Sequence, residues 1–123
     1  MSVPTHKILV VDDDPDIGIM IKMMLEYKGY TVLVTDRAER TRSLITEFGP
    51  DLIIMDMLLS GMNGTDICRE LKADESSAGI PLMMISAHPN AKETCLKAGA
   101  NDFIAKPFDM QELLGKINKL TEV

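Results

Sequence analysis

Leu52-Ile53-Ile54-Met55-Asp56 is an apolar run closed by a carboxylate, and it opens into Met57-Leu58-Leu59-Ser60-Gly61-Met62-Asn63-Gly64. Consecutive rather than alternating apolar residues mark a strand buried on both faces, which is the habit of parallel sheets. A carboxylate at the C-terminal end of such a strand faces the edge where open α/β folds bind ligands. Two other stretches share the layout. Ile8-Leu9-Val10-Val11 runs into Asp12-Asp13-Asp14, and Phe103-Ile104-Ala105 runs into Lys106-Pro107. Side by side on one sheet edge, these ends bring acids and a lysine to one small site.

The rest of the chain supports that geometry. Strands are expected at Lys7–Val11, Tyr30–Thr35, Asp51–Met55, Pro81–Ile85 and Asp102–Ala105, with helical patterns between them. In the first helix Asp14 is the N-cap and Pro15 the first helical residue, with Ile17, Met20, Ile21, Met24 and Leu25 as its inner stripe and Gly29 as its stop. The second, about 38–48, would turn Ala38, Ile45 and Phe48 inward, and the third, about 64–73, carries Ile67, Cys68 and Leu71. A short fourth helix, about 91–98, ends at Gly99. The last opens with Asp109 and Glu112 at capping-box spacing and would bury Met110, Leu113, Leu114, Ile117 and Leu120. Strand-helix alternation with right-handed crossovers gives a doubly wound α/β sheet with helices on both faces.

Length and composition narrow the function classes. At 123 residues, residues 1–123 are expected to form a single domain, and 46% hydrophobic with 26% charged residues is a globular composition. A net charge of -6 argues against direct binding to nucleic acid. Cys68 and Cys95 form no Cys-x-x-Cys pair, so they are expected to be reduced, partly buried thiols of a cytoplasmic protein. The ten methionines fit irregular core gaps, and no apolar stretch approaches a membrane span.

Asp14 has structural work as a cap, which leaves Asp12 and Asp13 at a buried strand end. Like charges there repel and raise each other's pKa unless a cation sits between them. Mg²⁺ suits such a pair, because it takes oxygen ligands from one or two carboxylates and keeps waters and phosphate oxygens in its shell. Asp12-x-Asp14-x-Asp16 also begins like a calcium EF-hand loop, but Ile17 stands where Gly is needed and Met23 where a bidentate Glu is needed. Lys106, at a strand end and followed by a proline open to a cis bond, is placed to neutralise Asp56 or hold a phosphoryl oxygen. Ser86, closing the fourth strand, shares that edge.

Val10-Val11-Asp12-Asp13, Ile54-Met55-Asp56 with Gly61 and Gly64, Ser86-Ala87, Ala98-Gly99-Ala100-Asn101-Asp102-Phe103 and Lys106-Pro107-Phe108 together resemble the receiver domain of two-component response regulators, the chemotaxis-type phospho-acceptor fold. The resemblance covers essentially the whole chain. It implies a flavodoxin-like sheet of five parallel strands in the order 2-1-3-4-5, an order for which a chemotaxis receiver is itself a standard example. It implies that Asp56 accepts a phosphoryl group from the phosphohistidine of a sensor histidine kinase or histidine phosphotransfer protein. Asp12, Asp13, Asp56 and the backbone carbonyl of Leu58 would hold Mg²⁺ (or Mn²⁺), and Lys106 would contact the phosphoryl oxygens. Ser86 is the implied switch hydroxyl and Phe103 the switch aromatic, changing the face around the fourth helix and fifth strand to control an output protein or a homodimer formed on phosphorylation. Such a module is not a conventional turnover enzyme, although it assists its own phosphorylation and dephosphorylation.

The chain departs from the family pattern in places. Ser60 stands where proline is common, Phe103 lacks the hydroxyl of the usual Tyr, and Pro89 falls early in a shortened segment from Ser86 to Lys106. His88 lies where the family varies and where dephosphorylation is tuned, with an exposed turn histidine as the plainer reading. A haloacid-dehalogenase-type phosphatase is the rival enzyme reading, with Asp12-x-Asp14 as its motif. That family places its nucleophile after the first strand, whereas the isolated strand-end acid here is Asp56. A flavodoxin-like cofactor binder would need a Ser/Thr/Gly phosphate loop where these acids stand. The chain reads as a stand-alone regulator or as the receiver of a longer protein.

Overall fold

The computed structural model describes residues 6–59, 61–88 and 90–121, so the expectations resting on Ser60 and Pro89 lie outside the described residues. Five strands, β1 (Lys7–Val11), β2 (Thr31–Thr35), β3 (Leu52–Asp56), β4 (Leu82–Ser86) and β5 (Asp102–Ala105), form one parallel sheet in the order β2-β1-β3-β4-β5. The helices are α1 (Pro15–Tyr27), α2 (Thr41–Phe48), α3 (Gly64–Ala73), α4 (Ala91–Lys97) and α5 (Met110–Thr121). This is the expected flavodoxin-like topology.

Strand alternation explains the continuous apolar runs. Leu9, Val11, Ile53, Met55, Leu82, Met84 and Phe103 pack on one side of the sheet with Leu44, Ile67, Leu71 and Cys95 from α2, α3 and α4. Ile8, Val10, Ile54, Met83, Ile85 and Ile104 pack on the other side with Ile21 and Leu25 of α1 and Leu113 and Ile117 of α5. Burying both faces removes the polar positions that would otherwise break each run.

Some inner faces differ from expectation. In α1 the buried residues are Gly18, Ile21 and Leu25, while Met20 is exposed, because it lies about 100° around the helix from Ile21. A Cβ on Gly18 would meet Val34 Cγ1 at 2.6 Å, so α1 rests on β2 through that glycine. Met110, the first residue of α5, is also exposed, and Leu114 and Leu120 lie at the margin of the core. The second helix begins as a 3₁₀ turn, Ala38–Arg40, and buries Ala38, Thr41 and Leu44, leaving Ile45 and Phe48 partly covered. Cys68 and Cys95 are free and wholly buried rather than partly so.

The helix caps follow the sequence. The Asp14 side chain accepts from Asp16 N at 3.0 Å, Asp109 accepts from Glu112 N at 2.7 Å, and Gly29 and Gly99 take φ of 97° and 106° at helix exits. Among the described residues no helix is long and apolar enough to cross a membrane.

Between β3 and α3 the chain makes a small antiparallel hairpin, Leu58–Leu59 with Met62–Asn63, that the sequence did not announce. It returns so tightly that Gly64 N donates to Met57 O at 2.8 Å, and a Cβ on Gly64 would collide with the Asp56 carbonyl oxygen. Backbone atoms cannot yield there as a side-chain tip could. Gly64→Ala should therefore cost more than about 2 kcal/mol in urea unfolding, against within about 0.5 kcal/mol for a strand-remote control that touches nothing. Gly79→Ala is that control, since a Cβ there has open space. Equal stability of the two variants would refute the tight return.

Candidate functional site

Strand register places the site. Val11 pairs with Met55, so Asp12 and Asp56 follow as neighbours; Asp56 pairs with Ile85, so Ser86 lies one step on; Ser86 pairs with Ala105, so Lys106 comes next. Each chemically active side chain is thus the residue at or just beyond the C-terminal end of its strand.

Asp12 is fully buried. Its amide donates to Thr35 O at 3.1 Å, and its Oδ1 accepts from Asp14 N at 2.9 Å. Among the described residues its Oδ2 has no hydrogen-bond partner, and it lies 3.5 Å from Lys106 Nζ. Asp56 Oδ2 accepts from Lys106 Nζ at 3.0 Å, and Asp56 Oδ1 accepts from Leu58 N at 3.3 Å. Lys106 is itself tied down, because its amide donates to Ser86 O at 2.9 Å and its bond to Pro107 is cis. One carboxylate oxygen from each of Asp12, Asp13 and Asp56 lies within 4.8 Å of the others.

The electrostatics follow from that crowding. Burial pushes the Asp12 carboxyl up to about 6; the Asp14 amide opposes this, the Asp56 charge adds to it, and Lys106 offsets part of it. Burial alone would lower the Lys106 ammonium, but the hydrogen bond to Asp56 and the charges of Asp12 and Asp56 outweigh it and raise it. Lys106 thus serves two carboxylates, those of Asp12 and Asp56. A buried, unbonded carboxylate oxygen beside two further carboxylates is a donor set for a hard divalent cation, which binds oxygen and neutralises the surplus charge.

Ser86 and Leu58 line the same shallow depression, of about 430 Å³, with Asp56, Ala87, His88 and Lys106. Ser86 is buried, and its Oγ accepts from His88 N at 3.0 Å. Phe103 is not at the site. It sits 8% exposed in the core on the α2–α4 side, while Ser86 Oγ still holds the His88 amide. Sequence reasoning missed the Asp14 amide as the group orienting Asp12 and the Gly64 contact behind Asp56. The only signal for the first was that an N-cap two residues on aims its amide back at the strand end.

The sequence model of the response regulator receiver domain matches residues 8–118. The DNA-binding response regulator MtrA of Mycolicibacterium smegmatis is 35% identical over 119 residues, covering 95% of this chain and 51% of that protein. The phosphate regulon transcriptional regulatory protein PhoB of Pseudomonas aeruginosa is 38% identical over 112 residues, covering 89% of this chain and 49% of that protein. The chain thus spans about half the length of these curated relatives. The solved receiver domain of sensor histidine kinase PA1611 from Pseudomonas aeruginosa superposes with a TM-score of 0.87 at 30% identity, covering 98% of this chain and all of that one. That structure has a magnesium ion coordinated in its active site cleft.

The raised Asp12 carboxyl makes a signed prediction for protein kept metal-free with a chelator. Between the ordinary value of 3.8 and about 6, the unfolded chain releases this proton and the folded chain keeps it. The Asp12 contribution to stability is thus greatest below pH 4 and falls away as pH rises to 6. Asp12→Asn should match wild type near pH 4 and exceed it at pH 7 by on the order of 2 kcal/mol in urea unfolding. A variant less stable than wild type at pH 7 would show that the charged carboxylate is well accommodated without metal.

Proposed function

The chain belongs to the response regulator receiver family, and on that premise we propose that Asp56 is the residue at which it accepts a phosphoryl group. A receiver domain is a phospho-acceptor switch of two-component signalling rather than a turnover enzyme. The observation that carries the assignment is the Asp56–Lys106 contact at 3.0 Å, at the edge of a depression open to a donor. We read residues 1–123 as one receiver domain acting in the cytoplasm. The five-stranded sheet with one core layer on each face supports the single-domain reading.

In the reaction an Asp56 carboxylate oxygen attacks the phosphorus of a phosphohistidine on a sensor histidine kinase or histidine phosphotransfer protein. The new P–O bond forms as the donor's P–N bond breaks, and the imidazole leaves with the bonding pair. Lys106, already within hydrogen-bond reach of Asp56, stabilises the phosphoryl oxygens as charge builds on them. Asp12, Asp13, Asp56 and the Leu58 carbonyl would hold Mg²⁺ (or Mn²⁺), which would supply further charge neutralisation at the site. Water later cleaves the acyl phosphate in the same site, so the chain assists both its own phosphorylation and its own dephosphorylation. The phosphoryl group offers acceptor oxygens to the Ser86 hydroxyl, drawing it from the His88 amide. Ser86 and Ala105 are register partners, so that movement reaches β5, Phe103 and α4, the face we assign to an output protein or to a homodimer formed on phosphorylation.

With acetyl phosphate and Mg²⁺, intact-mass measurement should find one phosphoryl group per chain, absent in Asp56→Asn and retained in Cys68→Ala. Label persisting in Asp56→Asn and mapping to Asp12, together with turnover of a phosphate ester, would favour a phosphatase of the haloacid-dehalogenase type instead. In the Lys106→Ala variant some phosphorylation should survive. Its beryllofluoride complex should shift the amide resonances of Ser86, Ala87 and Phe103 less than the wild-type complex does, and identical shifts would remove Lys106 from the switch.

Mg²⁺ at ten times its dissociation constant should add roughly 1.4 kcal/mol of stability by linkage. Asp13→Asn should abolish most of that gain in a thermal melt. A full Mg²⁺ response in the variant would show that Asp13 holds no metal.

A further inference from the structure

Asn63-Gly64 is the only Asn-Gly step in the sequence, and it stands where the hairpin joins α3. Asparagine before glycine is the pair most open to spontaneous deamidation, because no Cβ shields the following backbone nitrogen from the side-chain amide. Asn63 is exposed, and its side chain is held: Thr65 Oγ1, itself buried, donates to Asn63 Oδ1 at 3.0 Å. That bond draws the Asn63 amide toward its C-terminal neighbours and polarises its carbonyl for attack. Gly64 is also the first residue of α3, whose N-terminal end favours negative charge on the attacking nitrogen and on the oxygen of the intermediate. One contact opposes the reaction. Gly64 N donates to Met57 O at 2.8 Å, so the nucleophile is free only when the hairpin lets go.

We propose that Asn63 is a spontaneous modification site whose isoaspartate product disables the phospho-acceptor. The Gly64 nitrogen, having given up its proton, attacks Asn63 Cγ. The new C–N bond closes a succinimide ring, and the side-chain nitrogen leaves with a proton as ammonia. Water then opens the ring. Opening at the side-chain carbonyl gives aspartate, and opening at the backbone carbonyl gives isoaspartate, whose main chain runs through the former side chain and is longer by a methylene. That methylene falls where the backbone has least room. A Cβ on Gly64 would collide with the Asp56 carbonyl oxygen and meet Met57 O at 3.0 Å, so a lengthened chain there displaces the start of α3 from the back of Asp56. Plain aspartate at the same place keeps the backbone and still accepts from Thr65, as a capping carboxylate does. Loss of phosphoryl acceptance follows only with Asp56 as the acceptor, whereas loss of packing follows without it.

Ageing the whole chain for days at mildly alkaline pH, with isoaspartate mapped by methyltransferase labelling and peptide mass spectrometry, tests the site. Isoaspartate should collect at residue 63 well ahead of Asn90, Asn101 and Asn118. Thr65→Val should slow its formation by roughly tenfold, and Thr65→Ser, which retains the hydroxyl, should not. The isoaspartate form, separated by ion exchange, should melt below wild type and below Asn63→Asp, and should take up little phosphoryl group from acetyl phosphate with Mg²⁺. Asn63→Asp, which carries the charge without the methylene, should be phosphorylated like wild type. Deamidation at residue 63 no faster than at the other asparagines would overturn the proposal. So would equal rates in Thr65→Val and Thr65→Ser, or an isoaspartate form that melts and is phosphorylated like Asn63→Asp. A fresh chain that takes up no phosphoryl group would fault the Asp56 assignment instead, and the melting comparison alone would then decide.

Discussion

Everything at this site depends on holding more negative charge than positive charge under the ends of three buried strands. Asp12 has no exposed surface and one carboxylate oxygen without a hydrogen bond, and Lys106 must serve both it and Asp56. A core built only for stability would not keep that arrangement, since an imperfectly paired buried charge is costly. Its cost makes sense as readiness. The surplus charge attracts a divalent cation, and the lysine already lies along the acid that the phosphoryl group would join. Stability has been given up locally for a site poised to change its charge.

The surrounding fold makes the strain tolerable. Burial of both sheet faces fixes the register, and register alone carries Asp12, Asp56, Ser86 and Lys106 to one edge. Backbone groups then aim the side chains: the Asp14 amide holds Asp12, the Leu58 amide holds Asp56, and the Ser86 carbonyl anchors the Lys106 backbone. Gly64 lets the chain turn back directly against the Asp56 carbonyl, so Asp56 is backed by main chain. Ser86 lines the depression at Asp56 and Lys106 and pairs in register with Ala105 of β5, so it lies between the charged site and that strand.

Much of this was legible in the residues because parallel strands leave a strong signature. Continuous apolar runs ending in acids or lysine located the strands and the site together, and Asp14-Pro15, Gly29 and Asp109 marked helix ends through cap chemistry that is local in sequence. What was not legible depends on nonlocal packing. Met20 and Met110 belong to apolar patterns, yet the direction of the core is set by which strand each helix crosses, and Gly18 rather than Met20 makes the contact on β2. The hairpin at Leu58–Leu59 and Met62–Asn63 is too short to show a period. The burial of Phe103 against the α2–α4 side depends on how α4 packs on β5, which no local pattern in the sequence records.

The central claim, that cation binding relieves the charge cost carried by Asp12, is tested most directly by counting protons during Mg²⁺ binding. Calorimetric titrations at pH 6 in buffers of different ionisation enthalpy yield that count. With the Asp12 carboxyl at about 6, binding should release about half a proton at pH 6, almost none at pH 8, and none at either pH in Asp12→Asn. Binding at pH 6 without proton release in the wild type would contradict the account.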